Sequence, residues 1–338
     1  MRSSRHPRRT WLTLCAACAV SSACSERVKG WYADEQPASY TRVPAEPSAV
    51  VPRPRPPSPP ASSDPLDGPC VSPECGAAQR FVIIGDYGSS NSAEADVAAL
   101  VARLEPDFIV TTGDNNYPSG AAETIDQNIG RYFQAFIAPY RGKFGAGAHE
   151  NRFFPCLGNH DWYTLGAKPY LDYFSLPNNE RYYQVALGNV QLFALDSDPD
   201  NEPDGTTVGS KQAQWLEAEL RVASTPWRVV FFHHPPYSSG PHGSSLFMRW
   251  PFAEWGASIV YSGHDHTYER FEVNGFPYVV NGVGGKDLYS LGEPLPESLV
   301  QHADVHGVVL VTVTATELVS RFLDARGQEL DVLRLQKD

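Results

Sequence analysis

Phe81-Val82-Ile83-Ile84-Gly85-Asp86-Tyr87-Gly88 is four apolar residues that run straight into a glycine-aspartate turn, and the same phrase returns along the chain. Phe108-Ile109-Val110-Thr111 leads to Gly113-Asp114-Asn115-Asn116-Tyr117, and the apolar run Phe153-Phe154-Pro155-Cys156-Leu157 leads to Gly158-Asn159-His160-Asp161. Val229-Val230-Phe231-Phe232 ends at His233, and Ile259-Val260-Tyr261 ends at Gly263-His264-Asp265-His266. Runs this short and continuously apolar read as strands buried on both faces. Val190-Gln191-Leu192-Phe193-Ala194-Leu195 and Tyr278-Val279-Val280 are two more. Between them lie amphipathic helices: Ala93 to Leu104 places Val97, Leu100, Val101 and Leu104 on one face, and Lys211 to Val222 does so with Trp215, Leu216 and Leu220. Gly307 to Asp324 alternates like antiparallel strands, with a hairpin turn at Asp324-Ala325-Arg326-Gly327. The pattern predicts an α/β fold, helices flanking sheet layers with loops gathered at strand ends.

One glycine-aspartate turn is usually only a turn, and one His-x-His is commonly a surface accident. Five such blocks, each directly after a buried run, predict that successive strands carry oxygen and imidazole ligands to one edge of the sheet. Asp86, Asp114, Tyr117, Asn159, His233, His264 and His266 make seven donors, too many for one ion and suited to two that share a bridging carboxylate. A metal pair about 3.5–4 Å apart is a general device for in-line attack on phosphorus, activating water while neutralising the phosphoryl oxygens.

These blocks resemble the purple acid phosphatases of the calcineurin-like metallophosphoesterase superfamily, in order, from Phe81 to His266. The resemblance implies a four-layer αββα sandwich of two mixed sheets flanked by helices, with a dinuclear metal site at strand ends. It implies that Asp86, Tyr117 and His266 bind Fe(III), that Asp114 bridges, and that Asn159, His233 and His264 bind a divalent ion such as iron, zinc or manganese. Broader members of the superfamily carry Asp-x-His in the first block, whereas Gly88 stands here two after Asp86. Tyr117 supplies the ligand that the missing histidine would have given, which favours the purple acid phosphatase branch over diesterases, nucleases and protein phosphatases. By the same resemblance His160 and His242, the latter nine residues after His233, bind the phosphoryl group and protonate the leaving alkoxide. His234 is structural or pocket-lining, and His149, His302 and His306 have no partner at ligand spacing. Tyr87, Asn116 and Tyr237 flank the ligands and either line a pocket or pack. The Gly282-Val283-Gly284-Gly285-Lys286 turn lacks Walker spacing and reads as strand-end geometry at the rim of the site. Residues 284–306 show no clear periodicity, and no role follows for them.

The whole chain sets the bounds. Its 338 residues, 42% hydrophobic and 20% charged, suffice for one large domain or two small ones and exclude collagen, coiled coils and polytopic membrane proteins. The formal charge is −12, and the N-terminal segment carries Arg2, Arg5, Arg8 and Arg9, so the remainder is more acidic still and a poor stable partner for nucleic acid. Residues 1–23 read as a signal peptide: arginines, the apolar run Trp11 to Val20, then Ser21, Ser22 and Ala23. That apolar run is too short to span a bilayer. Cys24 directly afterwards resembles the lipidated cysteine of a bacterial lipoprotein, although Ser21 stands where an aliphatic residue is usual, and free secretion is the competing reading. Arg8-Arg9-Thr10-Trp11-Leu12 also loosely resembles a twin-arginine signal. Residues 24–78 form a Pro-rich stalk or linker, with eleven of the 29 prolines between Pro37 and Pro69. Residues 79–338 form the catalytic domain. Cys70 and Cys75 could close a small disulfide loop in an oxidising compartment, and Cys156 reads as a buried packing thiol.

Together these readings predict an exported acid phosphatase, extracellular, periplasmic or lipid-anchored through Cys24. Its two metals hydrolyse phosphate monoesters of small molecules or phosphoproteins, with His160 and His242 assisting the leaving group. The same fold also serves phosphodiesterases and nucleotide pyrophosphatases, and a surface-tethered non-catalytic binding protein is the reading outside enzymology. Neither substrate nor oligomeric state follows from the residues.

Overall fold

The computed structural model describes residues 78–337. The expectations for the leader, the stalk, Cys24, Cys70 and Cys75 lie outside the described residues. Thirteen strands form two mixed sheets. The first holds β1 (Gln79–Ile84), β2 (Phe108–Thr111), β3 (Phe153–Pro155), β11 (Gly307–Val313), β12 (Glu317–Asp324) and β13 (Glu329–Gln336), in the order β13-β12-β11-β1-β2-β3. The second holds β4 (Tyr183–Leu187), β5 (Val190–Ala194), β6 (Trp227–Phe231), β7 (Ile259–Ser262), β8 (Tyr268–Val273), β9 (Phe276–Asn281) and β10 (Ser298–His302), in the order β10-β8-β9-β7-β6-β5-β4. The two longest helices are α1 (Ser92–Leu104) and α2 (Lys211–Val222). Each is capped by its preceding residue, Asn91 accepting from the Glu94 N–H and Ser210 from the Ala213 N–H.

Side-chain alternation divides each apolar run between two cores. In β1, Phe81 and Ile83 face the interior between the sheets, while Val82 and Ile84 pack under α1 with Val97, Leu100, Val101 and Leu104. In β6, Val229 and Phe231 join Phe81 and Ile83 in the shared interior, while Val230 turns outward to Leu216 and Leu220 of α2. The layers are therefore helix, sheet, sheet, helix. Burying each such side chain contributes about 1.5–3 kcal/mol relative to exposure, which is why these runs leave no polar position free.

One expectation is corrected here. The ligand blocks do not gather at the edge of a single sheet: those after β1, β2 and β3 belong to the first sheet, and those after β6 and β7 to the second. The strands are parallel within each group, so their C-terminal ends open on the same side. Both faces of every run are apolar, so each sheet buries one face under helices and the other against its partner, and the two rows of strand ends meet across the sandwich. Cys156 is buried with a free thiol. The unassigned stretch 284–306 contributes β10, an edge strand antiparallel to β8, after a loop that returns over the strand ends.

Candidate metal centre

Each block turns sharply because a strand must end and present a side chain within two residues. Asp86, Asp114 and His264 adopt left-handed backbone, with φ of 53°, 51° and 71°. For residues other than glycine that conformation is strained and persists only where surrounding bonds over-determine it. Those bonds run between the blocks. The Asp86 N–H donates to Gly113 O (3.2 Å), the His264 N–H to Asp86 Oδ2 (3.0 Å), and the Gly263 N–H to His233 O (2.9 Å). Glycine is required where backbones touch: a Cβ at Gly88 would lie 1.8 Å from Asn115 O, and one at Gly158 would lie 2.2 Å from Asp114 Oδ1. Gly88 O accepts from the Tyr117 N–H (2.8 Å). Gly88 and Tyr117 are thus one local arrangement, in which the first block leaves no room for a side chain and the second supplies it.

The seven predicted residues come together as two groups of donor atoms. Tyr117 Oη lies 3.2 Å from Asp86 Oδ1, 2.8 Å from Asp114 Oδ2 and 3.1 Å from His266 Nε2, which is itself 3.4 Å from Asp86 Oδ1. His233 Nε2 lies 3.0 Å from Asn159 Oδ1, 3.1 Å from His264 Nδ1 and 3.4 Å from Asp114 Oδ1. Asp114 belongs to both groups, one oxygen in each. Asp86, Asp114 and His233 also offer three ligand atoms within 4.8 Å of one another.

Two observations test whether these groups fit metal ions. First, donors bonded to one ion at ~2.0–2.2 Å are about 3.0 Å apart along an octahedral edge and about 3.4 Å along a tetrahedral one. The spacings here match those edges. Second, the site is short of protons. The Nδ1 atoms of His266 and His233 face the carbonyl oxygens of Asp287 (2.6 Å) and Thr112 (2.9 Å), so each Nδ1–H donates there and each Nε2 turns a lone pair inward. Tyr117 then has one proton for three acceptors. A donor set that hydrogen bonds cannot satisfy is what a cation satisfies, and the residues fit the metal pair.

Electrostatics agree. Burial works against charge on Asp114, yet His233 and His160 hold its carboxyl down to about 2. Burial, and then the charges of Asp114 and Asp86, push the Tyr117 hydroxyl well above its usual range. Burial alone would lower the pKa of His233 and His266, but nearby carboxylates, Asp114 first for His233 and Asp86 for His266, raise both. His264 is lowered by burial and by its neighbours His234 and His233. Without a cation the carboxylates draw positive charge onto His233 and His266 and hold the proton on Tyr117, and a cation among these donors would take over both roles.

His160 and His242 occupy opposite rims. His160 is buried beside Asp114, with Nε2 3.9 Å from Oδ2 and Nδ1 2.7 Å from the Pro118 carbonyl, to which its N–H donates. His242 is exposed, its ring stacked on His264 with centroids 4.2 Å apart. His234 is half-buried beside His264: Ser197 Oγ lies 2.9 Å from Nδ1, and desolvation, with His233 close by, lowers its pKa to about 3. Tyr87 and Asn116 are packing residues, Tyr87 donating to Asn115 Oδ1 and Asn116 bonding Ala121, Thr124 and Asn128. Tyr237 lies against Tyr278 with Arg249 over its ring. His302 packs on Tyr268 and Phe322, and His306 faces Val283 O.

Several contributors carried no assignment from the sequence. Asp161 accepts from the N–H groups of Asn115 and Gly158 and from Asn115 Nδ2, while burial and Asp114 raise its pKa to about 6. Asp265, between two ligands, accepts from Ser238 Oγ and from the His242 N–H (3.0 Å). Glu269 accepts from the N–H and Oγ of Ser239. These two buried carboxylates fix the loop that carries His242. Tyr163 Oη accepts from Asn159 Nδ2 (3.0 Å), which turns Asn159 Oδ1 toward His233. Tyr289 stacks on His266 with centroids 4.0 Å apart. Only Asp161 and Asp265 had a signal, as acids inside a ligand block. The others come from stretches without periodicity.

Residues 79–268 match the family described as calcineurin-like phosphoesterase. The chain is similar to purple acid phosphatase 17 of Arabidopsis thaliana, 24% identical over 286 residues, which are 74% of this chain and 82% of that protein. It is similar to tartrate-resistant acid phosphatase type 5 of Homo sapiens, 23% identical over 305 residues, which are 77% of this chain and 91% of that one. Among solved structures, purple acid phosphatase PPD1 from yellow lupin seeds superposes with a TM-score of 0.65 at 19% identity, over 78% of this chain and 54% of the lupin protein. GAP50, the anchor in the inner membrane complex of Plasmodium, does so with a TM-score of 0.61 at 17% identity, over 78% of this chain and 90% of that one. At such identities the two structures establish the shared fold alone.

Proposed function

The chain belongs to the calcineurin-like phosphoesterase family, and from that premise we propose that it is a phosphatase of the purple acid phosphatase kind, hydrolysing phosphate monoesters. Asp86, Tyr117 and His266 would hold Fe(III), Asn159, His233 and His264 a divalent iron, zinc or manganese ion, and Asp114 would bridge them. The observation that carries this reading is the division of Asp114, with Oδ2 2.8 Å from Tyr117 Oη and Oδ1 3.4 Å from His233 Nε2. When bound, the two ions supply Lewis-acid polarisation of the phosphoryl oxygens and lower the pKa of water.

The chain's own residues supply the rest. Water adds to phosphorus as the bond to the ester oxygen breaks, and the departing alkoxide needs a proton. His242, exposed at the rim with its backbone N–H held by Asp265 and its ring stacked on His264, would give it. His160 donates its Nδ1–H to Pro118 O and turns Nε2 toward the site, where Nε2 with a proton of its own would donate to a phosphoryl oxygen. The Arg-rich leader and Pro-rich stalk support export, with Cys24 as a lipid anchor or the chain released freely. No helix among the described residues is long and apolar enough to cross a membrane.

The test is the visible spectrum of protein loaded with iron and a divalent metal, beside Tyr117→Phe. Phenolate on ferric iron gives a charge-transfer band, so the loaded protein is expected to be coloured and to release phosphate from monoesters, and the variant to lose the band. Loaded protein that is colourless yet active would reject the ferric-tyrosinate assignment in favour of a broader metallophosphoesterase.

A further inference from the structure

The turn after β9 and the residues that follow carry a charge that the family reading leaves unused. The Gly284 N–H donates to Gly85 O (2.8 Å) and the Lys286 N–H to Asp86 O (2.9 Å), so this backbone is locked against the first ligand turn. One residue on, Asp287 O accepts from His266 Nδ1–H, and beyond it the Tyr289 N–H donates to His266 O (3.1 Å). Lys286 is therefore rooted between two residues of the metal centre. Its ammonium lies over the Tyr117 ring, 5.2 Å from the centroid, and that ring's hydroxyl is the middle of the first donor group.

The charge is free to act on a solute. Its carboxylate neighbour is Asp287, at 3.7 Å, whose side chain is 90% exposed. A pair so exposed is weak and screened. The Lys286 side chain is 34% exposed, open to a ligand yet partly withdrawn from bulk water. Lysine meets phosphate as a point charge, so it responds to how much charge the phosphate carries. A monoester, with a second ionisation near pH 6, carries nearly two negative charges at pH 7, and a diester carries one.

We propose that Lys286 sets this site's preference for dianionic monoesters over monoanionic diesters. The inference rests on the phosphoesterase reading above and adds to it a residue that reads substrate charge. One extra unit of charge several ångströms from an ammonium in a half-exposed site is worth about tenfold.

The experiment compares metal-loaded wild type, Lys286→Met and Lys286→Arg on nitrophenyl phosphate and bis(nitrophenyl) phosphate at pH 7, with the visible band recorded for each. Lys286→Met is expected to lower kcat/KM for the monoester about tenfold more than for the diester, chiefly through KM. Lys286→Arg should restore most of the difference, and the band should persist in both variants. Equal losses on the two esters, with or without a weakened band, would show that Lys286 only supports Tyr117 and would overturn the proposal. So would unchanged kinetics in Lys286→Met. A wild type that binds no metal and hydrolyses neither ester would overturn the reading beneath it, an outcome recognisable without any variant.

Discussion

The floor of the site and its rim are built by different means. On the floor, Asp86, Asp114, His233 and His264 leave the ends of strands buried on both faces, and backbone bonds between the blocks hold their strained turns. On the rim, His242 and Tyr163 are tied by bonds to single side chains, Asp265 and Asn159, and Lys286 and Tyr289 stand on a loop tied by a few backbone bonds to Gly85, Asp86 and His266. A sandwich core fixes donor atoms closely enough to hold ions, and loops tied by a few bonds can change what approaches those ions without disturbing them. On the proposed reading the floor holds the ions, and the rim supplies the leaving group's proton and the choice of substrate.

That division can be broken by substitution. Asp114→Asn, which keeps the shape but removes the bridging group's negative charge, should cost on the order of 10³-fold in kcat, the scale of losing one preorganised electrostatic group. Metal analysis of the same variant should find fewer than two ions per chain, and a fully loaded, active variant would remove Asp114 from the bridge. His242→Ala should cost about 10²-fold while keeping both ions. Its loss should be larger for an alkyl phosphate than for nitrophenyl phosphate, whose leaving group scarcely needs a proton, and equal losses would contradict a proton-donor role. Ser238→Ala, which removes only a hydroxyl on Asp265, should cost about tenfold with the visible band intact. A bleached band there would mean that floor and rim are one unit.

The smallest effect lies outside both. Glu94 is buried at the start of α1, with Oε2 accepting from the Ser89 and Ser90 N–H groups and Oε1 without a partner. Burial raises its pKa from an ordinary 4.5 to about 9. The folded state then keeps a proton that the unfolded chain releases, so Glu94's contribution is fully present below about pH 4.5 and is lost as pH rises toward 9. Glu94→Gln, which cannot ionise, should raise Tm by a few degrees at pH 8, leave it unchanged at pH 4 and spare activity. A difference in Tm that is constant with pH would reject this account.

The floor was legible because its code is local. A buried strand is a run of apolar residues, its end is a glycine or a left-handed aspartate, and the ligand follows within two or three positions, as at Ile84-Gly85-Asp86 and Thr111-Thr112-Gly113-Asp114. Beyond His160 and His242, which the family resemblance supplied, the rim was illegible because its bonds join positions far apart in the chain and have no period. Nothing around Ser238 announces a bond to Asp265, and nothing in Lys286-Asp287-Leu288-Tyr289 announces that this stretch returns to Tyr117 and His266. The placement of the blocks on two sheets was hidden for a related reason. A run buried on both faces looks the same whether its neighbour is a strand of its own sheet or the face of another.

By itself the sequence determined which atoms could serve as ligands and in what order strands would deliver them, and its resemblance to the purple acid phosphatases implied that Tyr117 stands in for a side chain that Gly88 lacks. Only the tertiary structure decided which Asp114 oxygen faces which donor group, that imidazole tautomers are set by Thr112 and Asp287 carbonyls, and that a lysine cation overlooks the tyrosine. The physical reason is range. Donor chemistry and strand formation are properties of neighbouring residues, whereas a binding site is a sum of distances across two packed sheets, and those distances exist only once both hydrophobic faces have been buried.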